Sequence, residues 1–153
     1  MKKNGPFRIA VMMVVSLTLN TALFAEAAAP PPLYSGLSHL TESQAYQQYR
    51  NRPVSELSKI IYLIDRFMNS GIEILYDGHY FSAQFSGRVA RWFLATHYRK
   101  ENAEQWVMRW CNTTVPAGNL IWVKLPDGKF LLAREVLLSE LKKLNEMTPP
   151  PSS

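Results

Sequence analysis

Cys111 is the single thiol in a chain of 153 residues, and His79 or His97 would be its base. Cysteine catalysis requires a thiolate, stabilised by a nearby imidazolium or a helix N-terminus. Cys111 falls late in a helical pattern beside Trp110, where the helix dipole opposes a thiolate, so the sequence predicts a buried, unreactive side chain. Ser82, His79 and Asp77 are the residue types of a hydrolase triad, but no Gly-x-Ser-x-Gly elbow presents a serine. A small envelope hydrolase using His79 with Asp77 is the enzymatic alternative. Glu73, Asp77, His79 and His97 are metal-ligand types, yet there is no His-x-x-x-His spacing and no cysteine pair. The residues therefore specify no catalytic set, no metal and no cofactor.

A binding surface is the better candidate. Tyr76, Asp77, His79 and Tyr80 fall at a predicted hairpin. Thr113, Thr114 and Asn119 lie in a loop leading into a second strand, on which Trp122 and Lys124 point outward. If the two strands pair, these groups converge into an aromatic and polar cluster suited to a peptide, a glycan or another protein of the cell envelope.

The elements that must position these groups read clearly in part. Ile72, Ile74 and Tyr76 alternate with Glu73 and Leu75 as a strand, and Asp77-Gly78 is a hairpin dipeptide because both positions tolerate positive φ. His79-Tyr80-Phe81 begins the return strand. Phe81 and Phe85 bracket a turn, with Gly87 at the entry to a helix over Arg88–Lys100 whose outer sides are basic. Ile121, Val123 and Leu125 alternate with Trp122 and Lys124. Pro126-Asp127-Gly128 is a turn returning through Lys129–Leu132.

Four further stretches read as helices. Thr41 to Gln44 resembles a capping box for a short helix to Arg50, ahead of the break at Pro53. Leu57, Ile60, Ile61, Ile64, Phe67 and Met68 form one apolar stripe that stops at Asn69-Ser70-Gly71, with Asp65 and Arg66 on the solvated side. Asn102 to Gln105 is a second capping box, opening a helix through Trp106 and Trp110. Arg134–Glu146 turns Val136, Leu137, Leu141 and Leu144 inward. The expected fold is α+β, a small antiparallel sheet packed against about four helices.

Met1–Ala27 reads as a signal peptide. Lys2, Lys3 and Arg8 precede the apolar run Ile9–Leu19, and Ala25-Glu26-Ala27 is a small-x-small cleavage site. The run is shorter than the roughly 20 residues a membrane span requires, so no stable span is expected after cleavage. Export to the periplasm or secretion follows. Residues 28–40, with Pro30-Pro31-Pro32, are expected to be an extended linker, 41–146 a single domain, and 147–153 a disordered tail. The formal charge is +5. The leader accounts for three basic and one acidic side chain, leaving a dispersed +3 that does not support nucleic-acid binding.

From Leu57 to Leu144 the pattern resembles the YfeK-like family of small exported bacterial proteins, whose domain has no assigned activity. The shared features are the apolar helix, the strand ending at Asp77-Gly78, Phe93-Leu94 with His97, Ala103-Glu104-Gln105-Trp106-Val107, the segment Thr113–Trp122, and the closing Pro-Asp-Gly turn and helix. Tyr76-Asp77 stands where the family has Arg-Asn. Phe93 takes the place of its helical histidine, and threonines or other residues replace its serines. The resemblance implies an exported α+β protein and carries over no activity and no site; the residues themselves point most simply to a non-catalytic accessory or binding module.

Overall fold

The computed structural model describes residues 34–148. The expected signal peptide, the linker as far as Leu33, and the tail from Pro149 lie outside the described residues. The elements run α1 (Gln44–Arg50), α2 (Glu56–Met68), β1 (Glu73–Tyr76), β2 (His79–Ser82), α3 (Ala83–His97), α4 (Ala103–Trp110), β3 (Trp122–Lys124), β4 (Phe130–Leu132) and α5 (Ala133–Met147). The four strands form one antiparallel sheet in the order β2-β1-β3-β4. The fold is α+β, as expected, with five helices among the described residues.

The β1–β2 hairpin forms where the sequence places it. Asp77 and Gly78 have φ of 47° and 80°, and Tyr76 pairs with His79 across this two-residue loop. Such a turn matches the right-handed twist of the strands it joins. Gly128, at φ 86°, plays the corresponding part between β3 and β4. The two hairpins meet through β1 and β3, with Leu75 opposite Trp122.

Two apolar cores lie beneath the sheet and among the helices. Ile72, Val123, Leu125, Ala83 and Ala133 are buried under the sheet, joined by Phe67 from the end of α2. Ile60, Tyr62, Leu63, Trp106, Val107 and Leu144 bind α2 to α4 and α5.

Several local expectations are corrected. Ser43, not Thr41, caps α1 by accepting from the Tyr46 amide at 3.2 Å. Residues 34–40 are not linker: Leu37 and Leu40 are buried, one in each core, so the domain begins ahead of Thr41. Helix α3 starts at Ala83, directly from β2, because the Ser82 hydroxyl accepts from the Phe85 amide, and Gly87 lies inside it. Helix α5 extends to Met147.

The largest correction concerns α2. It buries more than one stripe, because other helices pack on several of its sides. Tyr62 and Leu63 are fully buried while Leu57 is exposed. Asp65 and Arg66, expected in solvent, are each only 5% exposed. Asp65 accepts from Arg52 and Arg91. Arg66 donates through Nε to Glu140 at 3.2 Å and through its terminal nitrogens to Ser38.

Candidate functional site

The hairpin tip and the threonine loop do meet. Oδ1 of Asp77 accepts from the Thr114 hydroxyl at 2.7 Å and from the Asn119 side-chain amide at 2.9 Å. The Tyr76 hydroxyl accepts from the Val115 amide at 3.0 Å. Thr113 bridges Leu120, and Thr114 exchanges backbone bonds with Gly118 and Asn119, so the loop closes on itself before docking. Hydrogen bonds from Thr114 and then Asn119 hold the Asp77 carboxyl below its usual range. Thr114 is buried.

These polar groups are therefore engaged with one another. Tyr76, Asp77, Thr114 and Asn119 form a clasp that fixes the loop to the sheet. His79 projects at the exposed edge, with Nδ1 2.9 Å from the backbone oxygen of Asp77. The imidazole is hydrogen-bonded to the main chain, while Thr114 and Asn119 both donate to Oδ1 of the carboxylate. A histidine–carboxylate pair, the core of the hydrolase alternative, is not assembled by these bonds.

Tyr80 and Trp122 belong to the opposite face of the sheet. Strand alternation and register place Tyr80, Leu75, Trp122 and Leu132 in one row across the four strands, and Ser82, Glu73, Lys124 and Phe130 in the next. Leu75, Trp122 and Leu132 belong to neither core. Tyr80 and Phe130 are about half exposed and lean together, ring centroids 6.4 Å apart. Beneath them Lys124 Nζ lies 5.3 Å from the Tyr80 centroid and donates to Glu73 at 2.8 Å. That bond to Glu73 raises the Lys124 pKa above its ordinary value.

The structure thus separates the sequence-predicted cluster into a clasp on one side and an open aromatic face on the other. Phe130, Leu75 and Leu132 were not singled out from the sequence. Projecting the alternation of Trp122 and Lys124 through the Pro126-Asp127-Gly128 turn would have found Phe130 and Leu132.

The remaining reactive types are packed. Cys111 caps the end of α4, and desolvation pushes its thiol up to about 12. His97 stacks on Phe93 at 4.1 Å, lies edge-on to Trp110, and has Nδ1 2.7 Å from the Thr96 hydroxyl. Among the described residues no three His, Cys, Asp or Glu side chains are grouped to hold a metal ion. No helix among them is long and apolar enough to cross a membrane.

No protein-family model, curated protein or solved structure matches the chain.

Proposed function

We propose that this is an exported, non-catalytic binding module that holds a short stretch of envelope glycan on the open face of its sheet. The observation that carries the reading is the row Tyr80–Leu75–Trp122–Leu132, half-buried at its centre, outside both cores and exposed at Tyr80, with exposed Phe130 and the Lys124–Glu73 pair beside it. Sugar rings present apolar faces and polar rims. Aromatic rings interleaved with an ammonium, a carboxylate and the Ser82 hydroxyl complement both.

Size favours a short ligand. Strands of three or four residues, four abreast, make a face on the order of 200 Å², taking about 4.8 Å between strands and 3.3 Å per residue. A stable complex with a globular protein buries about 800 Å² per partner. The leader at Met1–Ala27 supports export to the periplasm or secretion, as does the resemblance to the YfeK-like family, which also implies no assigned reaction.

The test is an immobilised panel of amino-sugar and hexose oligosaccharides, with extended peptides of matched length alongside. Binding to oligosaccharides that falls at least tenfold in Tyr80→Ala, Trp122→Ala and Phe130→Ala, and is unchanged in His79→Ala, is the expected result. Retention of peptides alone, or binding indifferent to the three aromatic replacements, overturns the glycan reading. Fractionation of a producing bacterium tests export directly.

A further inference from the structure

A second exposed surface runs along α3. This helix has apolar residues on two opposite sides. Ala83, Gly87, Ala90 and Leu94 face the body of the protein. On the other side Phe85, Val89 and Trp92 follow one another at i, i+4 and i+7, exposed by 47%, 46% and 64%. Phe81 stacks on Phe85 at 5.5 Å and extends the row to the edge of the sheet.

Charge is distributed one-sidedly around this row. Residues 83–100 contain Arg88, Arg91, Arg99 and Lys100 and no acidic side chain. Arg91 turns inward to Asp65. Arg88 lies on an exposed side of α3, and Arg99 and Lys100 follow in the connection after the helix ends at His97. None of these three has an ion-pair partner among the described residues. Glu101, the residue after Lys100, binds Arg109, and Asp65 is occupied by Arg52 and Arg91.

We infer that the outer face of α3 docks the folded domain on an anionic lipid surface, Phe85, Val89 and Trp92 entering the headgroup boundary while Arg88, Arg99 and Lys100 meet the phosphates. Tryptophan and phenylalanine beside unpaired arginines are the composition of helices that lie in the interface plane. A nucleic-acid duplex would use the cations but, with its bases stacked on one another, give the aliphatic Val89 and the row of rings no equivalent burial. A docking face on α3 leaves the open sheet face free, so the two surfaces are separable by mutation.

The full chain is mixed with vesicles of phosphatidylcholine, with or without phosphatidylglycerol, containing brominated acyl chains. Tryptophan emission is compared between the natural sequence and Trp92→Phe, so that the difference reports position 92 whatever residues 1–33 contribute. Quenching of that difference signal on the anionic vesicles only, diminishing with added salt, is expected. Arg88→Gln, Arg99→Gln and Lys100→Gln combined should weaken the Trp92-reported association roughly a hundredfold, each basic group near such a surface contributing about fivefold. A Trp92 signal untouched by brominated lipid, or quenched equally on neutral vesicles, overturns the inference. So does duplex DNA that competes with the vesicles and is itself bound through Trp92. Circular dichroism of each variant should match the natural protein, since the replaced side chains are exposed.

Discussion

Asp77 carries two duties that its chemistry reconciles. It occupies positive φ, which Asp and Asn accept more readily than other residues with a side chain, and its carboxylate accepts the bonds that dock the threonine loop. Because those bonds lower its pKa from 3.8, their contribution is complete above that value and is lost as pH falls through the depressed folded value. The Thr114 resonances in an NMR titration should therefore move with a midpoint below 3.8 in the natural protein. In Asp77→Asn, which keeps an acceptor oxygen and the turn conformation, this step should be absent. Cys111 gives a second test at this scale. With its thiol pushed up to about 12 by desolvation, almost no thiolate exists at neutral pH. Alkylation by iodoacetamide at pH 8 should follow the unfolding curve in urea, and Cys111→Ala should leave glycan and vesicle binding unchanged.

At the scale of the elements, the α2–α3 contact depends on the lack of a side chain at Gly87. A Cβ there would stand 2.6 Å from Cγ and 2.9 Å from Cβ of Met68. The Met68 Cβ is tied to its own backbone, so the helices must separate. Gly87→Ala gains close to 1 kcal/mol of helix propensity and forfeits more through overpacking, for a net loss of about 1–2 kcal/mol in urea unfolding. Met68→Ala in the same chain should recover part of that loss, and a Gly87→Ala variant as stable as the natural protein would disprove the contact. This glycine also shows why one boundary was misread. Gly87 and the paired phenylalanines resemble punctuation, whereas the start of α3 is set by the Ser82 hydroxyl, ahead of Gly87 in the chain. Where a signal is local the sequence was legible. The Asp77-Gly78 turn, the alternation on β3 and the capping box at Asn102, with both its bonds present, all follow from neighbours within a few residues. The division of Tyr76 from Trp122 onto opposite faces was not legible, because it depends on how β1 registers against β3 some fifty residues away.

The whole molecule is closed by contacts that no window of sequence contains. Glu140 on α5 is 1% exposed and accepts from Arg66 at 3.2 Å and from Tyr62 at 3.3 Å, both on α2, across more than seventy residues of chain. Arg66 in turn fastens Ser38 from the first packed segment, with its Nη2 donating to the Ser38 carbonyl at 2.5 Å. Three regions of the chain are thereby held at one guanidinium. Burial, reinforced by Glu140, also raises the Tyr62 pKa, which keeps its hydroxyl protonated as a donor at neutral pH. Removing either charge strands the other in a place water does not reach, and such truncations cost about 3–5 kcal/mol. Against a total stability of about 5–15 kcal/mol, Glu140→Leu alone should bring the protein close to unfolding. Replacing both partners with apolar side chains of similar volume, Arg66→Met with Glu140→Leu, removes the stranded charge along with the attraction that offset it, and should restore most of the loss. A double-mutant cycle in urea would then show strongly non-additive effects. Additive losses would mean that the two side chains act separately, and that α2, α5 and the Ser38 segment are held in place by their apolar contacts alone.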